Sequence, residues 1–332
     1  MTDRIGVMLC GHGSRDVEAV AEFGTLAQRL ARRLPQYDLS SGYLEFARPI
    51  IRDGLDSLKG RGVKQIIAIP GMLFAAGHVK NDLPWEVNAF AAENRDLDVR
   101  YGRDLGIDPK LLLAASERIA AALGDADTAA VRAETLLLVV GRGTTDPDAN
   151  SNISKVSRML WEGMGFGWAE AAYSGVAHPR VDEALKRVAR LGFARVIVFP
   201  YFLFTGVLVK RIYEQTDEVA ALHPDLEFIK AGYLNDHPLV VESFVDRVNA
   251  ALAGDNAMNC QLCKYREQVI GFEASAGAVQ AGHHHHVRGI GTDADHHDHD
   301  HDHDHDHDPD HGHDHDHGHG HKSHHHDHPH GG

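Results

Sequence analysis

Apolar and polar positions alternate along the chain in two ways. Short continuous apolar runs predict buried strands, and apolar residues repeated every three to four positions predict helices. In the first part of the chain the predicted strands are 5–10, 40–46, 65–70 and 98–101, and the predicted helices are 17–34, 50–59, 79–93 and 109–123. Strands that alternate with helices in this way are typical of an α/β domain with a mostly parallel sheet.

The same pattern returns 130 residues later. That shift superimposes glycines, prolines and aromatic residues at three separate places, which include Gly11 on Gly141, Gly13 on Gly143, Pro49 on Pro179 and Phe74 on Phe204. The second set of predicted strands is 135–140, 169–176, 195–199 and 227–231, with helices at 179–191, 209–221 and 238–252. We therefore predict two tandem flavodoxin- or Rossmann-like three-layer α/β domains, at 1–130 and 131–253, with parallel sheets that face a central cleft.

A short segment at 254–280 precedes a C-terminal tail of very different composition. The tail, 281–332, holds 22 of the 27 histidines and 12 aspartates, and its aspartates account for most of the formal charge of −15. A segment with so few apolar residues cannot offset the entropy of ordering, so we predict that it is disordered. Its many imidazoles predict weak, multivalent binding of divalent metals, suited to storage or delivery.

The composition of the rest of the chain excludes several classes of protein. No basic face or arm suggests a nucleic-acid partner, and no apolar run is long enough to cross a bilayer. The first residues lack the layout of a signal peptide, which favours a cytoplasmic protein. Three cysteines (Cys10, Cys260 and Cys263) cannot form a disulfide framework.

Three polar side chains follow predicted strands of the first copy: His12, Glu45 and His78. The carboxyl ends of parallel strands meet at one edge of a sheet, so these groups can converge there. Two imidazoles and a carboxylate suit a first-row divalent metal, and they can also accept protons near neutral pH. The second copy carries Arg142, Gly175 and Leu208 at the corresponding positions. We therefore predict that the first copy is catalytic and that the second forms a wall of the cleft.

Two motifs make the resemblance to a family specific. The segment 10–16, CGHGSRD, and the segment 70–84, with Gly77-His78 followed by Asp82-Leu83-Pro84, resemble the motifs of the class II tetrapyrrole chelatases of the CbiX type. The tandem copies, the segment 258–263 (MNCQLC) and the His-rich tail resemble the long forms of that family. The resemblance implies an ATP-independent lyase that inserts Co²⁺ into sirohydrochlorin during cobalamin synthesis. It also implies that His12, Glu45 and His78 are the catalytic and metal-binding residues.

Sirohydrochlorin carries many carboxylates, so its site should present cations beside apolar walls. The candidate cations are Arg15, Arg48, Lys80, Arg142 and Lys210, and the candidate wall residues are Leu73, Phe74, Leu203 and Phe204. For each cation the alternative is a solvated surface charge, and for each wall residue it is ordinary core packing.

The pair Cys260 and Cys263 has more than one interpretation. The family resemblance implies a [4Fe–4S] cluster, but such a cluster usually takes four thiolates, so this pair would need a dimer, other ligands or an open site. Zinc bound together with histidines and a redox-active dithiol are the alternatives. The candidate macromolecular partners are a second copy of the chain, as a homodimer, and a metal-donor protein.

Three alternative functions stay open on the sequence. The same ring could receive Fe²⁺ or Ni²⁺ instead of Co²⁺, because the His/Glu set does not discriminate among these metals. A storage protein or metallochaperone for cobalt, nickel or zinc would explain the tail without catalysis. A flavodoxin-like binder of a phosphorylated cofactor would use the loop 11–14 as an anion site, but it would leave His12 without a role.

Overall fold

The computed structural model describes residues 4–255 and residue 280. The predictions for Cys260, Cys263 and the His-rich tail at 281–332 therefore lie outside the described residues. None of the helices in the described ranges is long and apolar enough to cross a bilayer.

The first repeat alternates strands with helices, as predicted. Its strands are β1 (Ile5–Gly11), β2 (Asp38–Tyr43), β3 (Gln65–Pro70) and β4 (Asp98–Tyr101). Its helices are α1 (Val17–Arg33), α2 (Ile51–Gly60), α3 (Leu83–Glu93) and α4 (Pro109–Leu123), with a single π-helical turn at His78–Asp82 before α3. Both α1 and α4 start at an aspartate whose carboxylate accepts a backbone N–H of the first turn, Asp16 and Asp108 respectively.

The second repeat has the same order of elements after a short helix, α5 (Ala129–Ala133). Its strands are β5 (Thr135–Gly141), β6 (Trp168–Tyr173), β7 (Arg195–Pro200) and β8 (Glu227–Lys230). Its helices are α6 (Pro147–Met164), α7 (Val181–Val188), α8 (Val207–Leu222) and α9 (Pro238–Ala253). The helix α6 was not among the predicted elements, because its first turns are polar (PDANSN) and hide the apolar spacing.

Each repeat forms one parallel four-stranded sheet, ordered β2-β1-β3-β4 and β6-β5-β7-β8. Alternate residues of β1 serve two cores. Val7 and Leu9 face a core that runs through both repeats, whereas Met8 and Cys10 face a separate core under α2 and α3. Each sheet is thus covered on both faces, which confirms the predicted α/β fold with parallel sheets.

The last helix of each repeat packs against the other repeat. Helix α9 contacts α1 and β3 of the first repeat, and α4 contacts α6 and β8 of the second. Arg100 at β4 donates to the carbonyl of Leu252 at 3.3 Å, and Arg33 of α1 pairs with Glu242 of α9 at 2.5 Å. The two repeats therefore share their final helices as well as a core.

The turn after the second strand of each repeat has an unusual backbone. Phe46 has a φ of 62° and Val176, its counterpart, has a φ of 60°, and a cis peptide bond precedes both Pro49 and Pro179. This turn ends β2 at Tyr43, so the prediction of a strand over 40–46 was too long at its carboxyl end. The second repeat keeps the backbone of this turn, although it has Gly175 at the position of Glu45.

Candidate active site

The loops after β1 and β2 bring His12 and Glu45 together. Beyond the ends of the strands the backbone pairing continues, because the Leu44 amide donates to Gly11 at 2.9 Å and the Glu45 amide to His12 at 3.0 Å. Gly13 makes this approach possible, since it has a φ of 101° and a Cβ there would lie 1.7 Å from the carbonyl oxygen of Glu45. The glycine after His12 is therefore a geometric requirement of the loop.

The π-helical turn after β3 supplies His78, the third group. The Nε2 atoms of His12 and His78 lie 3.0 Å apart, and His12 Nε2 lies 3.2 Å from Glu45 Oε1. One ligand atom from each of the three residues lies within 4.8 Å of the others. Glu45 is buried, while the two imidazoles are about one-quarter exposed, at 28% and 26% of their side-chain surface. The structure thus brings together all three residues that the sequence analysis selected for metal binding.

The outer nitrogen of each imidazole faces an oxygen acceptor. His12 Nδ1 lies 2.9 Å from the carbonyl oxygen of Gly13, and His78 Nδ1 lies 2.9 Å from Asp82 Oδ2. A proton on each Nδ1 would be donated to these oxygens and would direct both Nε2 lone pairs toward a shared metal. The two Nε2 atoms lie 3.0 Å apart beside the carboxylate of Glu45, so both nitrogens can reach one ion at about 2.1 Å.

Asp82 supports His78 in a way that the sequence analysis missed. The carboxylate is buried, and its second oxygen accepts from Asn81 Nδ2 at 2.7 Å. Ligand histidines commonly donate their outer N–H to such a carboxylate, which orients the ring and raises its basicity. The spacing of four residues from His78 to Asp82 on a predicted helix is the signal that could have identified this residue.

The cluster of His12, Glu45 and His78 lies at a cleft between the repeats. Two adjoining cavities, of about 380 and 210 Å³, are both lined by His12 and by Arg142 of the second repeat. Aromatic side chains form the walls: Phe204 lines both cavities, and Phe74 lines the smaller one, where its ring stacks on Tyr201 with centroids 5.9 Å apart. Leu73 and Leu203 also line the smaller cavity. The apolar wall candidates therefore all face the cleft.

The five candidate cations fall into three groups. Arg15 and Arg142 line the cleft, and the guanidinium of Arg15 lies 5.3 Å from the ring centre of Phe46. The surrounding protein lowers the pKa of Arg142, and nearby Glu45 opposes that effect, but an arginine remains charged at neutral pH. Arg48 is exposed beside the cis peptide bond and does not line either cavity.

Lys80 and Lys210 form ion pairs between the two repeats. Neither lysine lines either of the two cavities. Lys80 is buried, and its Nζ lies 2.7 Å from Asp146 and 3.0 Å from Asp148 of the second repeat. Burial lowers the pKa of Lys80, but the two carboxylates more than compensate and the net shift is upward. The ammonium of Lys80 is thus enclosed by two carboxylates, and the substrate-binding role for this residue stays a prediction from the sequence.

Lys210 makes the reciprocal contact with the first repeat. Its Nζ lies 2.8 Å from Asp16 and 2.8 Å from Glu18, and the hydrogen bonds to both carboxylates raise the pKa of Lys210. The same residue positions therefore form the ion pairs on both sides of the interface between the repeats.

Comparison with known proteins identifies the family. The profile of the CbiX family matches the chain twice, at residues 6–122 and 136–251. The chain belongs to the CbiX family. A sirohydrochlorin cobaltochelatase of Priestia megaterium is 34% identical over 264 residues, which cover 78% of this chain and 84% of that protein. A sirohydrochlorin ferrochelatase of the same organism is 28% identical over 231 residues, covering 70% of this chain and 84% of that one.

A solved structure shares the fold of this CbiX protein. SirB from Bacillus subtilis with Fe³⁺ superimposes with a TM-score of 0.68 over 77% of this chain and 98% of that chain, at 23% identity. The resemblance to class II chelatases drawn from the two motifs is thereby confirmed, as is the prediction of an enzyme that inserts a metal into a tetrapyrrole.

Proposed function

We propose that this CbiX protein is a sirohydrochlorin cobaltochelatase, which inserts Co²⁺ into sirohydrochlorin with the loss of two pyrrole protons, in cobalamin biosynthesis. The observation that carries the proposal is the convergence of His12, Glu45 and His78 at a cleft with aromatic walls. The cobaltochelatase of Priestia megaterium, at 34% identity, supports the same activity.

The binding of the metal and the removal of the pyrrole protons fall to the side chains of His12, Glu45 and His78. The imidazoles of His12 and His78 take Co²⁺ from water and hold it at the edge of the cleft, where neutral nitrogen ligands allow the ion to leave again. Glu45 completes the ligand set and accepts one pyrrole proton as the ion enters the ring, because its carboxylate lies beside His12. An imidazole released by the departing ion accepts the second proton, and both protons then pass to water. No nucleotide is required, in keeping with the absence of a phosphate-binding loop motif from the sequence.

The cleft would hold the macrocycle between the two repeats. Phe74 and Phe204 provide flat apolar surfaces for the ring. Arg15 and Arg142 provide guanidinium groups for its carboxylates, and a bidentate pair would fix the orientation of the ring over the metal. Because Arg142 stands at the position that corresponds to His12, the metal would approach the ring from the first repeat only.

Iron is the second candidate metal. The ferrochelatase of Priestia megaterium is 28% identical to this chain, and a mixed N/O ligand set accepts both Fe²⁺ and Co²⁺. We propose cobalt because the cobaltochelatase relative is more similar and is matched over more of the chain, 78% against 70%. The iron–sulfur site at Cys260 and Cys263 stays a prediction from the sequence.

A spectroscopic assay tests the proposal. Purified protein mixed with sirohydrochlorin and Co²⁺ should shift the visible spectrum of the macrocycle much faster than the uncatalysed reaction. The His12→Ala and His78→Ala variants should lose this rate enhancement, whereas Arg48→Ala should keep it because Arg48 does not line the cleft. Parallel assays with Fe²⁺ and Ni²⁺ identify the preferred metal. Metal uptake with no spectral change of the ring would contradict the proposal and indicate storage.

A further inference from the structure

A single carboxylate of the first repeat holds two loops of the second. Glu22 lies on α1, and its Oε2 accepts the backbone N–H of Thr205 at 2.7 Å. Its Oε1 accepts the hydroxyl of Tyr233 at 2.6 Å and the side-chain amide of Asn235 at 3.3 Å. Three neutral donors from the second repeat therefore converge on one charged acceptor, and hydrogen bonds to a charged group are stronger than neutral ones.

The first of these loops is a wall of the cleft. Residues 202–206, between β7 and α8, line the larger cavity, and Thr205 follows Phe204 directly. The residue after Glu22, Phe23, packs against the Phe204 ring with centroids 5.7 Å apart. Glu22 thus fixes the backbone of this wall at the point where an aromatic side chain enters the cleft.

The corresponding wall of the first repeat is held from within its own repeat. Ala75, the counterpart of Thr205, donates its N–H to the buried Asp104 at 3.0 Å. Two backbone bonds add to this, from Leu105 to Met72 at 3.1 Å and from Gly106 to Leu73 at 2.7 Å. In the second repeat the carboxylate for the same amide comes from α1 of the first repeat, across the interface.

We propose that Glu22 is a positioning residue that sets the width of the cleft between the repeats, where the tetrapyrrole would bind. This inference rests on the proposed function. The metal ligands and α1 belong to the first repeat, and the opposite wall belongs to the second. The distance from the metal to that wall therefore depends on the contact that ties the Thr205 loop to α1. Loss of Glu22 releases the wall and leaves the ligand set intact, because Glu22 is not one of the metal-binding residues.

Direct titration of the two substrates tests this role. The dissociation constant of metal-free sirohydrochlorin is measured from its absorbance, and that of Co²⁺ is measured in the absence of the ring. The Glu22→Ala variant should weaken the binding of sirohydrochlorin by about tenfold or more, the effect of one charge-assisted hydrogen bond. Its affinity for Co²⁺ should stay within about twofold of the parent value, because the ligands do not move.

The conservative variant and a neighbouring carboxylate supply the controls. Glu22→Gln keeps one acceptor oxygen, so its affinity for sirohydrochlorin should lie between those of the parent and Glu22→Ala. Glu18 is also on α1 and also contacts the second repeat, through Lys210, but it is exposed and does not touch the wall. The Glu18→Ala variant should therefore bind both substrates like the parent protein.

Steady-state kinetics and a third variant complete the experiment. In Glu22→Ala the KM for sirohydrochlorin should rise more than kcat falls, which a general loss of folding would not produce. If Glu22→Ala proves unstable to heating, Tyr233→Phe removes one donor only and should still weaken the binding of sirohydrochlorin by about threefold. Equal losses of affinity for both substrates, or unchanged binding of sirohydrochlorin in Glu22→Ala, would overturn the inference. Binding of the ring without turnover by the parent protein would instead contradict the proposed function and leave the binding comparison valid.

Discussion

The orientation of two imidazole rings determines whether this cleft can hold a metal. His12 is oriented by a backbone carbonyl, whereas His78 depends on the carboxylate of Asp82. A charged acceptor on Nδ1 keeps the proton there and makes Nε2 a better donor to the metal. Asp82 therefore supports the candidate ligand set through its contact with His78.

We expect Asp82→Asn to weaken the binding of Co²⁺ by about 10- to 100-fold. The amide lacks the charge that supports the imidazole, and its NH₂ group must face either His78 or the side-chain amide of Asn81. Isothermal titration with Co²⁺ measures the effect, and the affinity for metal-free sirohydrochlorin should stay unchanged as an internal control. Parent-like affinity for Co²⁺ would show that Asp82 has only a structural role.

Local sequence identified the groups that come together at the cleft, but not the partners of the lysines. His12, Glu45 and His78 each follow a strand, so the topology of a parallel sheet alone brings them to one edge. Lys80 finds its partner 66 residues away in the other repeat, and no local pattern encodes such a contact. A comparison of the repeats could have indicated this contact, because Lys80 and Asp16 recur as Lys210 and Asp146 at the spacing of 130 residues.

Among the elements, the π-helical turn at His78–Asp82 explains a difference between the repeats. The first three strands of the two repeats are 130 residues apart, but β4 and β8 are 129 apart, so the first repeat has one extra residue. Helix α8 of the second repeat is regular at the corresponding place, and a π turn is the usual form of a one-residue insertion in a helix. Apolar periodicity does not detect a single inserted residue, so the sequence predicted an ordinary helix over 79–93.

The segment that leads from β3 into this turn is held by Asp104, whose burial makes it sensitive to pH. Burial raises the pKa of Asp104 to about 6, against the lowering effects of Arg103 and of the hydrogen bond from Ala75. The folded state therefore binds a proton more tightly than the unfolded state does. It follows that the contribution of Asp104 to stability is greatest at acid pH and is lost as the pH rises through about 6.

We expect Asp104→Asn to be more stable than the parent protein above pH 7, by up to about 3 kcal/mol. The amide oxygen can still accept the N–H of Ala75, and no charge has to be buried. The difference in the free energy of unfolding, measured with urea from pH 4 to pH 8, should grow as the pH rises. A difference that is constant over this range would mean that Asp104 does not titrate as its burial suggests.

For the whole molecule, the exchange of final helices makes the two repeats interdependent. Without the second repeat, the first repeat would expose the apolar faces of α1 and β3 that α9 covers, and α4 would lose its contacts with α6 and β8. The tandem arrangement could be predicted from the sequence. The exchange of the final helices could not, because apolar periodicity shows which face of a helix is buried but not which sheet it packs against.

We predict that residues 1–130 expressed alone do not form a folded monomer. Helix α4 of such a fragment can pack only against a second copy, with Lys80 of one copy near Asp16 of the other, as the reciprocal ion pairs of the full chain indicate. Circular dichroism and sedimentation at several concentrations should show either an unfolded chain or a dimer that dissociates and unfolds on dilution. A stable, cooperatively folding monomer would contradict the interdependence of the repeats.

The turn after β6 in the second repeat has an unfavourable backbone conformation. Val176 holds a φ of 60° in a turn where its counterpart Phe46 lies beside the imidazole of His12, yet Val176 is 54% exposed and lines neither cavity. Asparagine tolerates this conformation better than a β-branched residue, so Val176→Asn should raise the free energy of unfolding by about 1 kcal/mol. Urea titration checks this, with the rate of metal insertion expected to stay the same. The turn at Val176, which lines neither cavity, is thus a place where the stability of the second repeat can be raised without touching the cleft.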